Sequence, residues 1–352
     1  MGLTLKDEIY MKRCLQLARC GCGSTSPNPM VGAVIVCDGR IIGEGYHVKA
    51  GEPHAEVNAV NSVRECDRHL LPDSTVYVTL EPCSHYGKTP PCCDMLIAKG
   101  VKRVVIGTAD NNAMVNGAGI SRMRQAGIEV IVGVCETECL RLNRDFFTSH
   151  ALSRPAITLK WAQSADGFID ADRTGGEAVS ISTPVSRLAV HKLRSMHDAI
   201  LVGTRTALLD NPSLNVREWS GRQPLRLVLD RQGVLPATLK LFDGTLPTIV
   251  YTEHEKVGKF GKNIEQIMVD FSNNLLNSIL THLHSIKVNS LLVEGGALLL
   301  QSFIDASIWD DIRVEVNPRL FIGHGVAAPV IPNGLFFEKK MCDKNEIRLY
   351  QR

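Results

Sequence analysis

The chain has 352 residues, a formal net charge of +2, 22% charged residues and only 5% aromatics. That length suggests two domains of ordinary size, and the near-neutral balance with few stacking platforms argues against a nucleic-acid partner. Eleven cysteines, an odd number spread through a long chain, lack disulfide-scaffold density and fit a reducing compartment. At the amino end, Ile9, Met11, Leu15, Leu17 and Ala18 predict an amphipathic helix ending near Gly21 and Gly23. Lys6, Asp7, Glu8, Lys12 and Arg13 interrupt this stretch too often for a signal peptide, and Lys6 stands where a myristoylation motif wants Ser or Thr. No later window is apolar for long enough to span a membrane, so a cytoplasmic protein with no membrane partner is expected.

Residues 27–36 then read as a loop, holding Asn28, that feeds a buried apolar strand. Asp38-Gly39 predicts a two-residue hairpin turn. Gly51-Glu52-Pro53 breaks the chain, and Ala55, Val57, Ala59 and Val60 predict a helix with His54 and Glu56 at its first turn. A strand over 76–80 runs into Glu81-Pro82-Cys83, and a further helix follows Cys92-Cys93. Zinc takes imidazole and thiolate ligands tetrahedrally, three protein ligands leave the fourth corner to water, and that water's pKa falls toward ~7. Zinc deaminases of nucleobases add a glutamate that moves protons without touching the metal, in the order His-x-Glu, then Pro-Cys. His54, Glu56, Pro82 and Cys83 stand in that order. A third ligand must come from the later cysteines, and spacing alone does not choose between Cys92 and Cys93.

Residues 101–107 and 129–133 read as further strands around a helix near 122–126, which implies a layered α/β sheet. Asp110 and Asn112 follow the end of one such strand, where open α/β sheets place ligands. Residues 136–150 look like one helix, and Ser153-Arg154-Pro155 a short linker, placing the domain boundary near Ala151.

The run from Glu81 to Cys92 resembles one family closely, the bifunctional deaminase/reductase of riboflavin biosynthesis. Its pattern Glu-Pro-Cys-Ser-His-x-Gly-Lys/Arg-Thr-Pro-Pro-Cys is met at every position. The resemblance implies a cytidine-deaminase-like α/β/α domain over 1–150 with one zinc ion on His54, Cys83 and Cys92, and Glu56 as acid/base. It also implies that Asn28, Lys88, Thr89, Asp110 and Asn112 contact the deaminase substrate. Where the family has Asp-Pro-Asn-Pro, this chain has Asp110-Asn111-Asn112-Ala113, keeping the polar pair and losing both prolines.

The second half has no Gly-x-Gly-x-x-Gly, so an ordinary dinucleotide-binding unit is not supported. It has instead the strand-turn-helix run 290–300 with Glu294 and a glycine pair at 295–296, a turn whose helix amides suit a phosphate. Thr183-Pro184 opens a helix with Thr as cap, running through His191 to Arg194. The run 198–217 is similar to the family's reductase domain nearly throughout, as is the strand 157–162 before Ser164-Ala165-Asp166-Gly167. The resemblance implies a dihydrofolate-reductase-like α/β domain over 151–352 that uses NADPH. Ala162, Thr206, Asp210, Gly296, Ala297 and Leu298 would contact the cofactor, and Arg194, Leu214, Arg217 and Glu294 the substrate. One departure stands out. The family's Gly-Glu-Ser-x-Trp-Ile-Thr is here Gly176-Glu177-Ala178-Val179-Ser180-Ile181-Ser182, without the hydroxyl and the indole that touch substrate and cofactor.

The implied activity is hydrolytic deamination of a small phosphoribosylaminopyrimidine, then NADPH-dependent reduction of its ribosyl chain, in a homo-oligomer. Two rival readings are a deaminase of RNA or nucleosides with a second half that only binds, and a second half that is only structural or dimerising, as Ala178 and Ser180 would suggest.

Overall fold

The computed structural model describes residues 5–86, 90–110, 117–173, 177–254 and 260–352. Lys88, Thr89 and Asn112 lie outside them. The chain forms two compact units, Met1–Leu152 and Ser153–Arg352.

The first unit runs α1 (Leu5–Arg19), β1 (Gly32–Cys37), β2 (Arg40–Tyr46), α2 (Ala55–Asn61), a 3-10 segment (Glu65–Asp73), β3 (Thr75–Leu80), α3 (Cys92–Ala98), β4 (Arg103–Thr108), α4 (Ala118–Gln125), β5 (Glu129–Val132), α5 (Glu136–Leu142) and α6 (Arg144–Leu152). Its sheet has the order β2-β1-β3-β4-β5. The β1–β2 hairpin turns at Asp38-Gly39, both residues with positive φ (49° and 77°), the backbone a two-residue turn of this hand requires. Alternation sorts the strand side chains between two cores. Ala33, Ile35, Val76, Val78, Val104 and Ile106 pack under α2, α3 and α4, while Val34, Val36, Tyr77 and Val105 pack against α1 and α5. The result is a three-layer α/β/α unit. The expected helix over 136–150 is instead two helices. Asn143 leaves helical geometry (φ −112°, ψ 26°) so that its amide donates to the Met30 carbonyl and accepts from the Met30 N–H, both at 2.8 Å.

The second unit runs β6 (Ala156–Ser164), β7 (Phe168–Ala171), α7 (Pro184–Met196), β8 (Ala199–Val202), α8 (Thr204–Asp210), β9 (Leu225–Leu229), β10 (Thr248–Thr252), β11 (Ile264–Met268), α9 (Leu275–Ser285), β12 (Ser290–Gly295), α10 (Ala297–Asp305), β13 (Asp311–Asn317), β14 (Gly325–Ala327), β15 (Phe336–Cys342) and β16 (Asn345–Gln351). Its large sheet has the order β11-β10-β9-β8-β12-β6-β13-β16-β15, parallel from β11 through β13 and closed by antiparallel β16 and β15. Thr183 caps α7 as its sequence predicts, accepting from the Ser186 N–H. The central strands are buried on both faces, as parallel strands between helices must be. Leu201, Leu227, Leu229, Leu291 and Val293 face α9 and α10, and Ile200, Val202, Val228 and Leu292 face the α8 side. Among the described residues no helix is long and apolar enough to cross a membrane.

Candidate active sites

In the first unit, three chain turns deliver one side chain each to a single point. His54 is the N-cap of α2, Cys83 follows the end of β3, and Cys92 opens α3 after Pro91. Their ligating atoms all lie within 4.8 Å of one another. His54 Nδ1 is 3.6 Å from Cys83 Sγ and 3.5 Å from Cys92 Sγ, and the Cys92 amide donates to Cys83 Sγ at 3.3 Å. Hydrogen bonds from the Cys92 thiol and then His54 draw the Cys83 thiol down to about 4, while Cys92, which donates to it and is buried, is pushed up. One imidazole and two thiols converging this tightly are a donor set that zinc accepts without rearrangement. Glu56, in the first turn of α2 and 3% exposed, sits within hydrogen-bonding reach of Cys92; burial pushes its carboxyl up to about 7. Cys93 turns the other way, into the core with Leu96, its thiol toward Asp94.

Asn28 is fixed by a residue that sequence reasoning passed over. His47 Nδ1 lies 3.1 Å from the Pro53 carbonyl, which only accepts, so that nitrogen carries the proton and Nε2 accepts from Asn28 Nδ2 at 3.2 Å. The Asn28 amide nitrogen therefore faces His47 and its oxygen faces away. The His47 ring also stands edge-on to His54, centroids 5.5 Å apart. Nothing in the sequence ties His47 to Asn28 or Pro53.

Glu81 was legible only as a motif letter. In the structure its buried carboxylate accepts four backbone N–H groups: Asp110 (3.2 Å) and Gly117 (3.1 Å) at one oxygen, Gly119 (3.0 Å) and Ile120 (3.2 Å) at the other. It thus holds both flanks of residues 111–116 and the start of α4. Gly119 permits this approach, since a Cβ there would lie 2.3 Å from the Pro82 carbonyl. Asp110 itself is 8% exposed.

In the second unit a cleft of about 780 Å³ opens across the carboxyl ends of the parallel strands, the usual ligand position in open α/β sheets. Ala162, Arg194, Thr206, Asp210, Arg217, Glu294, Gly296, Ala297 and Leu298 all line it. Leu214 does not. Its backbone turns with φ 47°, and its side chain, 2% exposed, packs into the core with Val202 and Val228. Arg194 grips Glu294 with two hydrogen bonds, Nε at 2.9 Å and Nη2 at 2.6 Å. Burial alone would raise the Glu294 carboxyl; the Arg194 guanidinium, with Lys160 behind it, outweighs that and holds it at about 2. Lys160 is a second omission. It lines the cleft with no hydrogen-bond or ion-pair partner among the described residues, and burial lowers its pKa against the pull of Glu294 and Glu315. The signal was there, a lysine in the middle of the apolar strand β6.

Asp210 pairs with Arg173 at 2.6 Å. The departing segment is well anchored: the Val179 N–H donates to Asp170 (3.1 Å), Ser182 Oγ to Glu315 (2.8 Å), and Asn317 and Asn345 both to the Ile181 carbonyl (3.1 Å). Ala178 and Ser180 therefore form cleft wall. Opposite, the Gly203 N–H donates to the Gly295 carbonyl at 2.8 Å, and a Cβ on Gly296 would crowd Thr206 Oγ1 at 3.2 Å. This glycine-lined cradle suits the close approach of a nucleotide.

Fold and sites define a zinc-type deaminase joined to a nucleotide-binding reductase. The model of the RibD C-terminal domain matches residues 155–350, and that of the cytidine and deoxycytidylate deaminase zinc-binding region residues 4–108. The riboflavin biosynthesis protein RibD of Aquifex aeolicus is 44% identical over 325 residues, covering 91% of this chain and 89% of that protein; RibD of Escherichia coli is 38% identical over 332 residues, covering 90% and 89%. A crystal structure from Thermotoga maritima, described as a diaminohydroxyphosphoribosylaminopyrimidine deaminase/5-amino-6-(5-phosphoribosylamino)uracil reductase, superposes with TM-score 0.89 at 38% identity, covering 98% of each chain. The chain belongs to the RibD family. It is a bifunctional riboflavin-biosynthesis enzyme acting on a small molecule, with deaminase and reductase activities, zinc and NADPH as cofactors, and a cytidine-deaminase-like and a dihydrofolate-reductase-like fold. The two rival readings give way to this membership.

Proposed function

We propose that residues 1–150 deaminate 2,5-diamino-6-(5-phosphoribosylamino)pyrimidin-4(3H)-one, and that residues 151–352 reduce the resulting ribosylaminouracil to its ribityl form. The convergence of His54, Cys83 and Cys92 within 4.8 Å beside buried Glu56 carries this reading. Zinc held by those three ligands supplies Lewis-acid activation of water. Glu56 takes a proton from the attacking water and hands it to the departing amine, so that the ring gains a carbonyl and ammonia leaves. Asn28, its amide oriented by His47, accepts a hydrogen bond from the pyrimidine, and Asp110, held through Glu81, lies on the same substrate with Lys88, Thr89 and Asn112.

In the second unit a bound NADPH would supply a hydride for the first carbon of the opened sugar imine, whose nitrogen would take a proton from solvent. Ala162, Thr206, Asp210 and the 296–298 turn hold the cofactor. The Arg194–Glu294 pair and Lys160 shape the substrate end, and Arg217 takes the substrate phosphate as a planar guanidinium can. Positioning of the hydride supplies most of the rate. The protein is cytoplasmic and homo-oligomeric. The experiment is to incubate purified protein with the diaminopyrimidine substrate, following ammonia and NADPH absorbance with and without NADPH. Ammonia release followed by substrate-dependent NADPH loss supports both assignments; no ammonia from zinc-replete protein overturns the first, and ammonia without NADPH loss the second.

A further inference from the structure

We propose that His191 is a positioning residue for the reduction, gripping the backbone of Arg217 so that its guanidinium meets the substrate's phosphate. The inference rests on the reductase reading above, which gives Arg217 to that phosphate, and adds what presents it. Between residues 211 and 223, Arg217 is the one residue that lines the cleft. It opens an exposed stretch, 217–221, where water could serve the backbone. Instead, side chains take four backbone groups in succession just there. Arg194 Nη1 donates to the Asn215 carbonyl at 3.3 Å. The Gln223 amide accepts from the Val216 N–H and donates to the Val216 carbonyl, both at 2.7 Å. His191 Nδ1 accepts the Arg217 N–H at 3.3 Å.

His191 lies on α7, is 3% exposed and lines the cleft itself. Because Nδ1 accepts, the proton of the neutral ring is on Nε2, 3.6 Å from Glu218 Oε1. Glu218 in turn lies 3.7 Å from Arg217 Nε, and Asn215 Oδ1 accepts from Arg217 Nη1 at 3.1 Å. One imidazole therefore fixes the main chain of Arg217 directly and, through Glu218, one edge of its guanidinium. The grip needs a neutral ring, since an imidazolium would set a second N–H against the Arg217 N–H. The charged groups facing His191 are Arg194 on the same helix, Arg217 and Glu218 on the loop, and Glu294 on β12. Burial first, then the two arginines, hold its pKa below the ordinary 6.5 against the pull of Glu218. At neutral pH the grip is closed, and acid opens it.

The test is the steady-state rate of NADPH loss with the ribosylaminouracil carrying its phosphate and with the same compound dephosphorylated. His191→Leu keeps bulk and removes the acceptor. At mildly alkaline pH it should raise the KM of the phosphorylated compound about tenfold, with kcat and the KM of the dephosphorylated compound within about twofold. His191→Asn, whose Oδ1 takes the place of Nδ1, should recover most of that loss. As pH falls below 6.5, the wild-type KM should climb above that of His191→Asn, which follows only the substrate's own phosphate titration. Adding His191→Leu to Arg217→Ala should raise KM no further. Equal losses for both compounds, a loss in kcat alone, coincident pH profiles for wild type and His191→Asn, or additive losses in the double variant each overturn the proposal. If His191→Leu does not fold, the pH comparison of wild type with His191→Asn decides alone. A wild-type protein with no substrate-dependent NADPH loss removes the reductase reading itself, and this proposal with it.

Discussion

The two sites are assembled by opposite strategies. The deaminase site draws its ligands from one short stretch, His54 to Cys92, each fixed at the end of a helix or strand, and its chemistry concentrates on one buried point. The reductase cleft is lined by residues from Lys160 to Val326, contributed by successive strand tips, and no single side chain dominates it. The difference separates a site whose power lies in a metal and one proton carrier from a site whose power lies in alignment. It follows that single substitutions should be all-or-none in the first and graded in the second.

The largest effect expected is on Glu56. Glu56→Gln should keep its zinc by metal analysis and lose about 10³-fold in ammonia release; retained turnover would end the proton-carrier role. Cys92→Ser should lose zinc while Cys93→Ser keeps it, which sharpens the geometric choice between the two. In the cleft, Arg194→Ala strands the Glu294 carboxylate and should cost about 3–5 kcal/mol of stability in the second unit. Trp161, Trp219 and Trp309 all lie in that unit, so denaturation followed by tryptophan fluorescence reads it alone. Because Glu294 is held at about 2 against an ordinary 4.5, its stabilisation, on the order of 3 kcal/mol, is present above pH 4.5 and lost as pH falls toward 2. Arg194→Ala should flatten that acid limb.

A smaller effect belongs to Glu81. Glu81→Gln puts an amide NH₂ against two of the four backbone donors, and the deaminase KM should rise about tenfold with zinc retained. A loss of zinc instead would make Glu81 part of the metal scaffold and not of substrate positioning. The smallest effect tests the departure in the cleft wall. Ser180→Trp restores an aromatic face and should lower the NADPH Kd about threefold; a rise would show that the 178–182 path leaves no room for it.

Legibility followed the same division. His54, Glu56 and Cys83 could be read from residue order because zinc chemistry constrains ligand type and spacing together, and the family pattern added Cys92. His47 and Lys160 escaped because their meaning lies in partners far along the chain or across a sheet: His47 acts through Asn28 and Pro53, and Lys160 faces Glu294 and Glu315. The split at Asn143 was hidden for the same reason, since the group that ends the helix is the backbone of Met30, over a hundred positions earlier. Helical periodicity carries no record of such a partner. Leu214, which the family pattern implies at the substrate, has its side chain in the core with Val202 and Val228, a placement that a motif match does not carry.

The position of β6 has a further consequence, for the order of events on the ribosome. It is the first strand of its unit to be made, yet it sits between β12 and β13, both of which come near the end of the chain. At translation rates of ~5–20 residues per second, Ala156–Ser164 waits roughly 8–30 s for Asn317 to be synthesised. The first unit, whose strands pair with near neighbours in sequence, can close during that interval. A nascent chain therefore presents a finished deaminase layer tethered to an unsatisfied apolar strand, and that strand is where chaperone dependence and aggregation during overexpression should concentrate.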